Sequence, residues 1–254
     1  MIDIHCHILP GIDDGAKTFE DSAKMAKVAI EEGITSIIAT PHHNHHYQNH
    51  GKEIENHVAR LKEHLQNEKI NLEILLGQEP RITGDFLEQL EVGEIITLCD
   101  QGKYVHIELP SNQVPRYTKS IIFELRLKGI TPIIVHPERN SEIMEDPELL
   151  YELVTEGALT QVTAASLTGE FGKNIQKFSF QLIQHNLTHF VASDAHNISN
   201  RSFNFKEAFK VIEKKIGINE KAKLQENAKA MAKGDIIYSE SPILIRKRKI
   251  LGIF

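Results

Sequence analysis

Two imidazoles one residue apart, His5-Cys6-His7, stand near the start of the chain, and Asp194-Ala195-His196 repeats the spacing late in it. Residues i and i+2 of an extended backbone point to the same side, so each pair can chelate one cation. Between them lie further donors of the same kind: His42, His43, Glu79, Glu108 and His136. Imidazole and carboxylate without thiolate suit Mn²⁺, Fe²⁺ or Zn²⁺ better than Ca²⁺, and ligand type does not choose among those three. Histidine is also the compositional anomaly, at 14 residues. Taken singly, each donor has an ordinary reading as a hydrogen-bonded side chain, and His45, His46 and His50 read as a solvated loop that binds adventitious metal. The information lies in the set. Cysteine phosphatase chemistry needs Cys-x5-Arg, and the sixth residue after Cys6 is Ile12, after Cys99 Val105. There is no Gly-x-x-x-x-Gly-Lys-[Ser/Thr] loop to cradle a nucleotide phosphate.

The elements that must position these donors alternate along the chain. Short β-branched, apolar runs predict strands at Ile2–Cys6, Ser36–Ala39, Leu72–Leu76, Tyr104–Ile107, Thr131–Val135, Leu159–Thr163 and His189–Ala192. Amphipathic runs between them predict helices at Phe19–Glu32, Glu53–Gln66, Lys119–Lys128, Pro147–Glu156, Lys173–His185 and Phe205–Lys215. Thr18 caps the first, with Asp21 three residues on and Gly33 past its end. This alternation argues for a parallel α/β fold. The donors fall at the C-terminal ends of the strands: His5 and His7 on the first, His42 and His43 after the second, Glu79 after the third. Glu108 follows the fourth, His136 the fifth, and Asp194 and His196 the seventh. Only the sixth carries none. A closed barrel gathers such ends onto one face, where an open sheet spreads them along an edge, so the barrel is preferred.

The chain has 254 residues, 41 % apolar, with a formal charge of −6, which suits a full hydrophobic core and disfavours non-specific nucleic-acid binding. No linker or repeat divides it, and a single domain over 1–254 is expected, with a basic and apolar tail from about 240. Two cysteines outside any Cys-x-x-Cys pair argue against a disulfide framework. The absence of a leader-like N-terminus or a long apolar run makes the cytoplasm the expected location.

His5-Cys6-His7, Pro41-His42-His43, Gly77-Gln78-Glu79, His106-Ile107-Glu108, His136-Pro137-Glu138-Arg139 and Ser193-Asp194-Ala195-His196 resemble the motifs of the polymerase-and-histidinol-phosphatase (PHP) superfamily. More narrowly, the run from His5 to Gly15, with His136-Pro137-Glu138-Arg139, is similar to the bacterial CpsB/CapB-type protein-tyrosine phosphatases. The resemblance extends to about Arg201. It implies a distorted (βα)7 barrel, TIM-like, with a trinuclear site usually described with manganese, Fe, Zn or Mg being the other candidates. Its implied ligands are His5, His7, Asp14, His42, Glu79, Glu108, His136, Asp194 and His196, with Asp13 the alternative to Asp14. Arg139 and Arg201 correspond to phosphate-binding arginines, the competing role for Arg139 being an ion pair with Glu138 or another carboxylate.

The implied reaction is hydrolysis of phosphotyrosine, a metal-activated hydroxide attacking phosphorus in line with the leaving phenolate. A phenol pKa near 10 lessens the need for a general acid. The implied partner is a membrane-associated bacterial tyrosine kinase of capsule or exopolysaccharide synthesis. Self-association through the helix carrying Glu20, Lys24 and Lys27 is a further expectation; Ile243–Phe254 reads as a solvated tail or a strand packed on its own domain, with an anionic membrane or a protein partner as the alternative contact. Rival readings are a small-molecule phosphatase such as histidinol-phosphate phosphatase, a phosphodiesterase like the PHP domain of DNA polymerases, and a metal-bound scaffold without turnover. The acidic charge disfavours the phosphodiesterase.

Overall fold

Among the described residues every strand-to-strand ladder is parallel, and the ladders run around a ring. The computed structural model describes residues 1–246. Its strands are β1 (Ile2–Cys6), β2 (Ser36–Ala39), β3 (His42–His43), β4 (Glu73–Leu76), β5 (Glu79–Pro80), β6 (Tyr104–Ile107), β7 (Thr131–Val135), β8 (Leu159–Thr163) and β9 (Phe190–Ala192). Its helices are α1 (Phe19–Glu31), α2 (Gly51–Asn67), α3 (Phe86–Glu91), α4 (Thr118–Leu127), α5 (Ser141–Glu145), α6 (Pro147–Thr155), α7 (Ala164–Thr168), α8 (Lys173–Gln184), α9 (Phe205–Lys215) and α10 (Ile218–Ala232). β1, β2 and β4 form one sheet and β6 to β9 another. β3 and β5 continue β2 and β4 beyond a break and pair with each other, His42 opposite Glu79.

The ring closes at its C-terminal end. On one side Glu108 N–H donates to Pro80 O and Ile82 N–H to Glu108 O, both at 2.9 Å. On the other, Asp194 N–H donates to His5 O and His7 N–H to Ala195 O, again at 2.9 Å. The barrel is thus laddered along its sheets and seamed near the mouth.

Strand alternation sorts side chains into two layers. Ile4, Ile38, Tyr104, Ile133, Leu159 and Phe190, one from each of six strands, pack inside the barrel with Ala228 and Met231 of α10. Ile37, Val105, Ile134, Val162 and Val191 face the surrounding helices. Each such side chain, when fully buried, stabilises the fold by roughly 1.5–3 kcal/mol. α10 plugs the end of the barrel away from the mouth, and Asn227 Nδ2 donates to His189 O at 2.9 Å.

All seven expected strands are present, with Leu72 and His189 falling just outside their ladders. Helix boundaries agree to within a turn, and Thr18 accepts from Asp21 N–H at 3.2 Å as a cap. The expected tail divides: Ile243 N–H donates to His185 O at 2.8 Å, laying that stretch against the end of α8. Arg246 is exposed, and Lys247–Phe254 lie outside the described residues.

Candidate metal centre

β1 carries a bulge between Asp3 and Cys6, where it pairs with β2. The extra residue reverses the parity of the strand. Within the bulge Ile4 belongs to the inner apolar cluster, and the next residue, His5, also turns inward with His7, their Nε2 atoms 3.3 Å apart. Left-handed residues follow two strands, His136 (φ 39°) directly after β7 and Asp194 (φ 52°) two residues after β9. That conformation costs a non-glycine residue about 1–2 kcal/mol and is tolerated where the surroundings demand it. Here it swings both side chains over the mouth.

The donors meet as the strand-end argument requires. Glu79 Oε2 lies 3.3 Å from both His5 Nε2 and His7 Nε2 and 2.8 Å from His42 Nδ1. Asp194 Oδ1 is 3.5 Å from His5 Nε2 and 3.3 Å from His7 Nε2. Glu79 Oε1 is 2.9 Å from His136 Nε2, and Glu108 Oε2 is 3.8 Å from His42 Nδ1. Asp14 Oδ1 faces His42 Nε2 at 3.4 Å and His196 Nε2 at 3.3 Å. Three overlapping sets could each hold an ion: His7, Asp14, His42 and His196; His5, His7 and Glu79; His42, Glu79 and Glu108. His136 and Asp194 flank these sets. His43, on the other face of β3, points away from the mouth toward His50.

A metal fits this arrangement better than the protein's own hydrogen bonds do. Glu79 Oε2, His42 Nδ1 and His196 Nε2 are buried without an aligned hydrogen-bond partner among the described residues. Buried polar atoms are otherwise paired almost without exception. Donors bound to one cation at roughly 2.0–2.2 Å sit about 3–3.5 Å apart, the spacing seen around Glu79 Oε2.

Three supporting residues carry no signal in the strand-end pattern. Asp13 is buried and spent on orientation: Oδ2 meets His7 Nδ1 at 2.8 Å and His42 N–H at 3.2 Å, and Oδ1 accepts Gly15 N–H at 2.9 Å. Asp13 is therefore placed behind His7 and Asp14 among the facing donors. Gln161 on β8, the strand that ends without a ligand, meets His5 Nδ1 through Oε1 at 3.0 Å. Such outer contacts fix the ring tautomer and orientation of a ligand histidine. Asp3 accepts from Ser193 N–H at 2.9 Å and Oγ at 2.5 Å, tying β1 to the loop that carries Asp194. The adjacency of Asp13 to the favoured Asp14 was the available clue for the first; an isolated glutamine offered none for the second.

The charges interlock. Burial alone would raise Glu79 and Asp194, yet His5 and His42 around the first, and Arg139 with His7 around the second, hold both well below the usual carboxylate range. Burial works against protonating His42, but Glu79 and then Asp14 push it up to about 10. Burial, with the nearby Arg139, lowers His136 to about 4, and burial beside His7 lowers His196 to about 4. Glu108 is raised to about 7 by burial and by Glu79, despite a bidentate contact from Arg81 at 2.8 Å on each oxygen. Metal binding must displace the protons that the metal-free cluster retains.

Both expected arginines reach the mouth. Arg139 Nη2 is 2.8 Å, and Arg201 Nη2 3.2 Å, from Asp194 Oδ2, while Arg201 Nη1 is 3.2 Å from Asp14 Oδ2. The Arg139 guanidinium also lies over the Phe171 ring, 5.5 Å from its centre. The competing role, an ion pair with a carboxylate, is thus present at Asp194 and not at Glu138, whose Oε1 accepts from Thr163 N–H at 2.9 Å and Ser166 Oγ at 2.6 Å. A cavity of about 300 Å³ opens between His42, His136, Arg139 and Arg201, with Leu109 and Pro137 on its apolar side.

Residues 1–233 match the family model described as capsular polysaccharide synthesis, CpsB/CapC. The chain is 46 % identical over 255 aligned positions, covering all of both chains, to the tyrosine-protein phosphatase YwqE of Bacillus subtilis (strain 168). It is 40 % identical to CapC of Staphylococcus aureus over 98 % of each. A solved structure from work on YwqE of Bacillus subtilis and CpsB of Streptococcus pneumoniae, described as unique metal-dependent tyrosine phosphatases, superposes with a TM-score of 0.95 at 45 % identity. The superposition covers 97 % of this chain and 100 % of that one.

Proposed function

This chain belongs to the CpsB/CapC family of capsular polysaccharide synthesis, and from that premise we propose that it is a metal-dependent protein-tyrosine phosphatase. The observation that carries the reading is the convergence of nine donors on one mouth, with two arginines resting on one of those donors, Asp194. His5, His7, Asp14, His42, Glu79, Glu108, His136, Asp194 and His196 would hold the cations. The three overlapping donor sets support three ions, and manganese is proposed from the family resemblance, since mixed imidazole and carboxylate does not choose among Mn²⁺, Fe²⁺ and Zn²⁺.

When bound, the cations supply Lewis acidity toward the phosphoryl oxygens and lower the pKa of a water. Asp13 and Gln161 keep the His7 and His5 rings aimed at the mouth. Arg139 and Arg201 grip the non-bridging oxygens of the phosphoryl group, for which a planar, permanently charged fork is suited. Leu109 and Pro137 offer the phenyl ring an apolar wall. The phenolate, with a pKa near 10, departs without a dedicated side-chain acid.

The substrate in this reading is a phosphotyrosine protein, a membrane-associated tyrosine kinase, reached from the cytoplasm. Among the described residues no helix is long and apolar enough to cross a membrane. Glu20, Lys24 and Lys27 lie exposed on α1 and provide the proposed face for self-association.

The test is turnover by metal-stripped protein after separate restoration of Mn²⁺, Mg²⁺, Zn²⁺ and Fe²⁺. A phosphotyrosine peptide and histidinol phosphate serve as substrates and His136→Ala as control. Metal-restored hydrolysis of the peptide, lost in the control, is the expected result. Hydrolysis of histidinol phosphate alone would transfer the assignment to small phosphate esters. Absence of turnover from folded, metal-loaded protein would overturn it.

A further inference from the structure

On β3 the two histidines face opposite ways. His42 enters the mouth, 4.5 Å ring to ring from His7, while His43 packs behind the barrel wall, 5.3 Å from the His50 ring. His43 is only 7 % exposed. The Nδ1 atoms of His43 and His50 are both buried without a hydrogen-bond partner among the described residues. Glu94 completes the group, and the three side chains offer ligand atoms within 4.8 Å of one another.

These three residues come from separate segments, and the backbone holds the segments together. Gly51 N–H donates to Glu94 O at 3.2 Å. Gln78 Nε2 donates to Asn49 O at 2.6 Å and Glu94 O at 3.0 Å, while its Oε1 accepts Ile96 N–H at 2.9 Å. Arg81 N–H donates to His43 O at 2.9 Å. The loops approach so closely that a Cβ on Gly51 would stand 2.2 Å from Ile96 Cγ2. Much of the ordering that ligand binding requires is therefore already in place.

We infer that His43, His50 and Glu94 form a second cation site on the outer wall of the barrel, separate from the mouth. Its class follows from its donors. Two imidazoles and a single carboxylate suit a borderline transition-metal ion such as Zn²⁺, whereas Ca²⁺ and Mg²⁺ need more oxygen than one side chain supplies. An ion there pins β3 and the loop before α2 from outside, while His42 is engaged from inside.

The experiment is zinc stoichiometry of purified, stripped and reloaded protein, for the wild type and for the separate variants His50→Gln and Glu94→Gln, read by elemental analysis after desalting. Each variant should carry one Zn²⁺ per chain fewer than the wild type and keep the remainder. A second measurement needs no variant: anomalous scattering at the zinc edge from zinc-loaded wild-type crystals should place a peak between His43, His50 and Glu94. Equal stoichiometry in all three proteins would overturn the inference. So would loss of every equivalent in the variants, or a zinc-filled mouth with no peak at the outer wall.

Discussion

Arg139 is the residue at which binding and catalysis separate. Its guanidinium rests on Asp194 Oδ2, with the Phe171 ring on one face, and donates nothing to a metal. Arg139→Ala should lower turnover of a phosphotyrosine peptide about 10²–10³-fold, the usual loss when one preorganised donor to a charged transition state is removed. Metal content, measured by elemental analysis, should not change; a fall in bound metal would reassign Arg139 to holding Asp194. At this scale the donors were legible because chelation imposes spacing and strand ends impose place. Asp14 came only through family resemblance, being on a loop with no strand to announce it. Asp13 was legible only as the alternative to Asp14, and Gln161 not at all: a residue that orients a ligand touches it through space, so its position in the chain follows no period.

The loop after β1 makes the sharpest demand on local structure. A Cβ on Gly15 would lie 2.1 Å from His7 O and 2.6 Å from His7 Cβ, against backbone that has no room to move. Gly15→Ala should displace the turn that lets Asp13 accept Gly15 N–H and orient His7. The expected outcome is a loss of about 1–3 kcal/mol in the urea unfolding of metal-free protein, together with weakened metal uptake. Wild-type values on both counts would refute the packing argument. The long strands were legible because buried parallel strands read as short β-branched runs. β3 and β5 were not, since two-residue ladders of His-His and Glu-Pro have no β pattern and exist only because their neighbours break and resume. α10 is not legible for a different reason: it buries only Leu224, Ala228 and Met231, a stripe too narrow to stand out among its lysines and glutamates.

Across the whole molecule the barrel separates a wet, charged mouth from an apolar base, and His189 sits at that base. Burial, with a smaller contribution from Lys223, lowers its pKa to about 4. Its Nδ1 accepts Thr160 N–H at 3.0 Å, so the folded state holds the neutral ring. Because the folded value lies below the ordinary 6.5, the associated stability is complete above pH 6.5 and is lost as pH falls toward 4. The loss amounts to about 3 kcal/mol at most. His189→Asn retains an acceptor and cannot titrate, so its unfolding free energy should fall less steeply across that window than the wild type's. Parallel slopes in urea titrations of the metal-free proteins would show that His189 is not buried neutral.

The seam between β1 and β9 has a consequence for biosynthesis. Cys6 and Ala195 are neighbours across it, yet 189 positions separate them along the chain. At roughly 5–20 residues per second, a ribosome makes the second partner some 10–40 s after the first. Throughout that interval the first strand has an open edge and its two imidazoles have half a cage. Metal can be captured in full only after translation has passed the last ligand. A product of premature termination therefore emerges with histidines but without the enclosure that would retain their ions.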